Sequence, residues 1–306
     1  MSAREVFIAI PAWGREYVNL AVRYTIPATL AALRAWRSDY AAHFLVHTYE
    51  RDAFAVALRG QHVEYRDPQA GPGHDGQWVA FKQAHRDAIA WAPQGALLAL
   101  LNSDIVVSIE TFAAVDAALQ GKKTVGVSVG IRTLIDGNVP PIGADAETLS
   151  HYIWAHRHPI TEECIWGSGR THHPTILFFG HTPQAPTSTP VVSMHCFHLT
   201  PMFIIKDRPL DFKGTIDDDV LEAYGEDQVV YFNKREFAVC ELSPANKRHP
   251  ARNPLNVAEV VEFGRQRFRG SHVRNFRQRF AVLGNADRNH QAADAILEGL
   301  KPHFPQ

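Results

Sequence analysis

The chain has 306 residues, 45% hydrophobic and 21% charged, which excludes a disordered or fibrous polypeptide and leaves room for one large folded domain or two smaller ones. Its 31 basic and 32 acidic residues give a formal net charge of -1, so no global charge draws it to nucleic acid or to a membrane. Cys164, Cys196 and Cys240 have no metal-ligand or redox spacing and read as packing residues of a chain in a reducing compartment.

The apolar stretch VFIAIPAW is too short for a secretory core and lacks a basic lead. No later run approaches the roughly 20 apolar residues of a membrane span, so the expectation is a soluble, cytoplasmic protein. EVFIAI (5–10) reads as a strand stopped by Pro11, and YVNLAVRYTIPATLAALRAW then carries apolar residues at helical intervals. HFLVHTY (43–49), RDAFAVALRG and HVEYRD add strand, helix and strand. PQAGPGHDGQ (68–77) breaks the pattern with Pro and Gly, and WVAFKQAHRDAIAWA (78–92) restores it as a helix leading into ALLALLNSD. This alternation with apolar strands predicts an α/β fold, its sheet mainly parallel and covered by helices on both faces.

Further on, ETFAAVDAALQG (110–121) reads as a helix and TVGVSVGIRT as a strand near the sheet edge. Residues 136–190, rich in Pro, His, Trp and Gly, read as irregular binding loops. VVSMHCFHLTPMFII (191–205) is strand-like, and 214–244 reads as an acidic loop, a short helix and one or two strands. Patterns from about 255 onward predict a C-terminal helical region.

The run LLALLNSDIVVS (97–108) places Asp104 between two apolar stretches. Ligands of open α/β sheets gather beyond the carboxyl ends of strands, where Asn102, Ser103 and Asp104 fall. A carboxylate there caps a helix, pairs with an arginine, or helps hold a divalent cation bound to phosphates. The order of a strand ending near Pro, two further βα steps, a Lys-bearing helix and an apolar strand followed by NSD resembles nucleotide-sugar glycosyltransferases of the A fold (GT-A). Their D-x-D motif falls at this point, with Asn102 standing for the first Asp. The resemblance covers mainly residues 5–110 and extends more weakly over 191–243.

It implies a Rossmann-like GT-A catalytic domain over 1–250, with a nucleotide-sugar-binding half (1–110) and an acceptor half (111–250), and a helical region over 251–306. The implied reaction is hexosyltransferase-like: a sugar moves from a nucleotide-diphosphate donor to an acceptor hydroxyl in bacterial-type glycan or glycoconjugate synthesis. Asp104 then binds Mn²⁺ or Mg²⁺, and Asn102, a weaker neutral ligand, contacts the donor sugar. Pro11, Ala12 and Trp13 form a loop against base and ribose, Trp13 either stacking on the base or packing as a half-buried structural residue, while Lys82 and His85 lie on a helix approaching the diphosphate, where Lys82 otherwise reads as an ordinary exposed-face lysine.

Asp217, Asp218 and Asp219 form either a solvated acidic loop or a cluster whose mutual repulsion invites a cation or a proton. The resemblance implies that such a motif supplies the base of an inverting transfer, with Glu226 and Asp227 in reserve. PANKRHPARNP (244–254) is either a basic surface loop or one that closes Lys247, Arg248 and Arg252 over a diphosphate, with His249 as a further metal ligand. RQRFRGSHVRNFRQR (265–279) holds six arginines and no acid, interleaved with Phe268 and Phe276. That face is either an ordinary solvated helix or one suited to a lipid-linked or anionic glycan acceptor or to peripheral contact at the inner face of a membrane; no nucleic-acid module is visible. His195 and His198, three apart in a strand, point to opposite faces and do not easily chelate one ion. Two other functions compete: a metal-dependent hydrolase using His172, His173, His181, His195 and His198, and a non-catalytic nucleotide-sugar-binding protein, which Asn102 favours.

Overall fold

Strands with apolar residues on both faces can exist only beneath two layers of helix, and that requirement shapes the first half of the chain. The computed structural model describes residues 5–36, 40–69, 73–135, 137–167, 175–180, 191–197, 199–210, 216–245, 256–284 and 290–304. In chain order the strands are β1 (Glu5–Pro11), β2 (Ala41–His47), β3 (His62–Arg66), β4 (Leu97–Leu100), β5 (Ile105–Val107), β6 (Val125–Ser128), β7 (Ile131–Ile135), β8 (Thr175–Gly180), β9 (Val191–Cys196), β10 (Thr200–Ile205), β11 (Val229–Tyr231), β12 (Val239–Pro244) and β13 (Phe280–Leu283). The described residues divide into two compact units, the first drawn from 1–130, 140–149 and 200–242, the second from 131–139, 150–199 and 243–306.

The first unit carries a seven-stranded sheet in the order β11-β6-β10-β4-β1-β2-β3. β4, β1, β2 and β3 run parallel, as does β11 beside β6, whereas β10 runs against both of its neighbours. The sheet is thus mainly parallel, as expected. After β1 comes α1 (Arg15–Leu20), which passes through a π-helical turn (Ala21–Thr25) into α2 (Ile26–Trp36); α3 (Arg51–Ala57) and α4 (Gly73–Trp91) follow. Val6, Ile8, Phe44, Val46 and Leu97 share a core with Val18, Ile26, Leu30 and Leu33 of these first helices and with Phe112 of the helix Thr111–Ala118. Burying a side chain such as Phe44 or Phe112 contributes roughly 1.5–3 kcal/mol. On the opposite face Phe7 meets Trp91 of α4 edge-on at 4.9 Å and stacks on His43 at 4.7 Å. Gly126 of β6 is required by close packing, since a Cβ there would lie 2.6 Å from the Phe232 ring.

Three local expectations change. The run TVGVSVGIRT is two strands, β6 in the first unit and β7 in the second, and 191–205 likewise divides into β9 and β10, which belong to different sheets. Residues 136–190 are not all loop: they include helices Ala146–Ala155 and Pro159–Glu163 and strand β8. The signal was easy to miss because the start of the second helix is made by a histidine. His158 Nδ1 accepts the Ile160 N–H at 3.1 Å, just ahead of Pro159 at the first helical position.

In the second unit an antiparallel sheet, β13-β9-β8, meets helices Val257–Arg267, Gly270–Arg277 and Gln291–Leu300. Ile176, Phe178, Phe197, Phe268, Phe276 and Ile296 fill its core. Among the described residues from 256 onward, the elements are helices apart from β13. Among the described residues, no helix is long and apolar enough to cross a membrane.

Candidate functional site

The chain proceeds from β1 to β2 to β3 on one side of β1 and then places β4 on the other. The carboxyl ends of β1 and β4 therefore flank a topological switch point, the place where open α/β sheets bind ligands. On the β1 side, buried Pro11 sits opposite His47 of β2, and the Ala12 N–H donates to the His47 carbonyl at 2.9 Å. Trp13 follows, half-buried, and Gly14 opens α1 with φ of 80°, a conformation that a side chain disfavours.

On the β4 side the Leu101 N–H donates to the Ala9 carbonyl at 3.0 Å, and the next three residues turn out of the sheet. Each of their carbonyls is held. Asn102 O accepts from Ile105 N–H at 3.2 Å, Ser103 O from the Thr25 hydroxyl at 2.8 Å, and Asp104 O from Leu242 N–H at 2.7 Å. β5 then begins and pairs antiparallel with β12. Asp104 thus interrupts an apolar run because the chain changes sheets there. It is 6% exposed and Ser103 5%, while Asn102 is half-buried.

α4 runs back from the carboxyl edge toward Trp91, which brings Asp87 beside the last residue of β2. His47 Nε2 lies 3.1 Å from Asp87 Oδ2; a carboxylate only accepts, so Nε2 carries the proton and Nδ1 is a bare acceptor. Nδ1 is buried and has no hydrogen-bond partner among the described residues. Burial pulls the His47 pKa below its ordinary 6.5, against the opposing pull of Asp87. Gln83 donates to the other Asp87 oxygen at 2.8 Å, and Arg66 Nη1 stands 3.7 Å from Oδ2. Sequence reasoning missed this cluster; the visible signal was a histidine closing an apolar strand. Half-buried Lys82 lies one turn nearer the edge than Asp87, whereas His85 is 2% exposed and packs edge-on against Phe81 at 4.3 Å, a core position.

Asp217, Asp218 and Asp219 occupy the first turn of a helix, Ile216–Ala223, and not an acidic loop. A helix N-terminus favours negative charge, which accounts for three carboxylates in succession. Just beyond that helix, Tyr224 donates its hydroxyl to Asp207, just past β10, at 3.1 Å, and Arg208 covers its ring at 4.7 Å. β10 ends beside the start of β4, so the helix has its carboxyl end at the amino edge of the parallel strands and its acidic turn toward the carboxyl edge. Asp219 is half-buried, and the side chains of Asp217 and Asp218 lie outside the described residues. Glu226 and Asp227 are exposed immediately before β11, which runs parallel to β4, and so sit at the opposite edge from Asp104.

Lys247, Arg248, His249 and Arg252 lie outside the described residues, as do His172, His173, His181 and His198. His195 is fully buried, its Nδ1 2.8 Å from the Phe276 carbonyl. Phe268 and Phe276 do not interleave with arginines on a surface: both stack on Phe197, at 4.1 and 4.0 Å, inside the second unit. Arg265 forms a two-pronged pair with Glu262, just upstream of the acid-free stretch.

A divalent ion suits the β4 edge in one form. No three His, Cys, Asp or Glu side chains gather among the described residues, so no cage for a resident ion is built there. Mg²⁺ or Mn²⁺ arriving on a diphosphate needs only one or two carboxylates, the other positions going to phosphate and water. Asp104 and Asn102 are oxygen-bearing side chains of the turn at that edge.

Sheet order and edge chemistry together define an α/β protein of Rossmann-like type with its candidate site at the switch point. No protein-family model matches the chain, and no curated protein does. Solved structures similar to it include S. aureus TarS 1-349, at 11% identity and a TM-score of 0.36 over 98% of this chain and 71% of that one. The galactosyltransferase LgtC, in complex with donor and acceptor sugar analogs, overlaps at 12% identity and a TM-score of 0.36, covering 75% of this chain and 74% of its own. A Bacillus anthracis protein described as a glucose-1-phosphate thymidylyltransferase does so at 12% and 0.38, covering 74% and 86%. Overlaps of this depth carry no functional argument, and function has to be read from the chain's own residues.

Proposed function

We propose that this chain is a nucleotide-sugar-dependent glycosyltransferase whose donor diphosphate lies across the carboxyl ends of β1 and β4. The observation that carries the reading is a single one: Asn102, Ser103 and Asp104 form the turn by which the chain leaves the sheet at its switch point. In this reading Asp104 and Asn102 hold a divalent ion, which when bound offsets the charge of the departing diphosphate. Trp13 stacks on the base. Lys82 approaches the phosphates from α4. The acidic turn of Asp217, Asp218 and Asp219 takes the acceptor proton if configuration inverts, and positions the substrate if it is retained.

The test is release of nucleoside diphosphate from UDP-, GDP-, CDP-, ADP- and dTDP-sugars with Mn²⁺, compared between the parent chain and Asp104→Asn. Turnover that Asp104→Asn abolishes supports the assignment. Tight binding without turnover points to a nucleotide-sugar-binding protein, and the absence of both binding and turnover refutes the site.

A further inference from the structure

The three carbonyls of the Asn102–Asp104 turn differ in what holds them. Two accept main-chain N–H groups, which no substitution other than proline removes; Ser103 O accepts the hydroxyl of Thr25, 78 residues away in sequence. Thr25 is fully buried and ends the π-helical turn between α1 and α2. The cause of that wide turn lies two residues on. Pro27 cannot donate to the carbonyl four residues back, and its ring crowds that carbonyl, so a regular helix cannot continue through this point. The Ile26 N–H reaches five residues back to the Ala21 carbonyl instead. In a regular helix a threonine hydroxyl commonly bonds the carbonyl four residues earlier, which for Thr25 is also Ala21. Thr25 instead directs its hydroxyl across to the Ser103 carbonyl. Thr29, 1% exposed, does make the ordinary bond, from its hydroxyl to Thr25 O at 2.7 Å.

We infer that Thr25, presented by the π-helical turn that Pro27 imposes, is a positioning residue that sets the Asn102–Asp104 turn and so aims the Asp104 carboxylate at the ion carried by the donor. The inference rests on the donor-site reading above. Thr25→Val keeps the shape of the side chain and leaves a buried carbonyl without a partner; Thr25→Ser keeps the hydroxyl.

The experiment measures Mn²⁺ affinity by electron paramagnetic resonance, in the presence of whichever of UDP, GDP, CDP, ADP or dTDP most stabilises the parent chain. Urea midpoints are recorded for every variant. Groups that orient a metal ligand typically set affinity by roughly 10- to 100-fold, and a loss of that size is expected for Thr25→Val, with recovery in Thr25→Ser. Thr29→Val, which removes an equally buried hydroxyl that makes no bond to the Asn102–Asp104 turn, should lower the urea midpoint and leave Mn²⁺ affinity within about twofold. In an Asp104→Asn background Thr25→Val should have no further effect on the ion. If Thr25→Val binds Mn²⁺ like the parent chain, or Thr29→Val loses as much, the inference falls and the donor site stands. If the parent chain binds Mn²⁺ with none of the five nucleotides, the donor site falls and the inference with it.

Discussion

Replacing Asp87 by alanine tests whether the polar cluster beneath the switch point is held as the structure indicates. Asp87 accepts from His47 Nε2 at 3.1 Å and from Gln83 at 2.8 Å, with Arg66 Nη1 at 3.7 Å. The last two donors are half-buried and find water when the carboxylate goes. The His47 side chain is 3% exposed and does not: with Nδ1 already unpartnered, both ring nitrogens are left bare. Losing one hydrogen bond to a charged acceptor and stranding its donor costs about 2 kcal/mol. For 306 residues, with an unfolding entropy of about 2.1 cal/mol/K per residue, that lowers Tm by about 3 °C. Asp87→Asn keeps a carbonyl for His47 and should lose about half as much. Urea and thermal denaturation followed by circular dichroism measure both. A loss for Asp87→Ala under about 0.5 kcal/mol, the range of ordinary surface substitutions, would refute the claim that this carboxylate holds His47.

Asp104→Asn should remove ligand-dependent stabilisation: nucleoside diphosphate with Mn²⁺ at about 100 times its Kd raises the stability of the parent chain by about 2.7 kcal/mol, or about 4 °C, and a hundredfold weaker site leaves under about 1 °C in a thermal-shift assay. Acid should destabilise the fold, because burial depresses the pKa of both His47 and His195 below 6.5. Below that pH the unfolded chain binds protons that the folded chain refuses, so stability holds above about pH 6.5 and falls as pH drops through it; a urea midpoint unchanged from about pH 7.5 to about pH 5.5 would contradict this. Burial pushes the Cys164 thiol up to about 12, so mass spectrometry should find it unmodified by iodoacetamide at about pH 8 in the folded chain and alkylated in denaturant.

Periodicity alone made the parallel half of the sheet legible. Runs such as EVFIAI and ALLALL are apolar on both faces, and only a strand covered on both sides buries them, whatever the rest of the chain does. The same rule put Asn102, Ser103 and Asp104 at a strand end, because polar residues after a buried strand must reach an edge. It failed where two elements share one apolar run: β9 and β10 read as a single strand, because nothing in VVSMHCFHLTPMFII marks the change of sheet.

Partnership across the chain was decided by tertiary structure. Asp217 to Asp219 read as a loop because three like charges suggest solvent, yet a helix N-terminus stabilises them. His47 and Asp87 are 40 residues apart and Thr25 and Ser103 are 78 apart, and neither pair leaves a mark in local sequence. Local pattern records which side chains must escape water. Which donor meets which acceptor is settled only when strands and helices close on one another, since a buried polar group accepts whatever partner the packing brings within 3 Å or so.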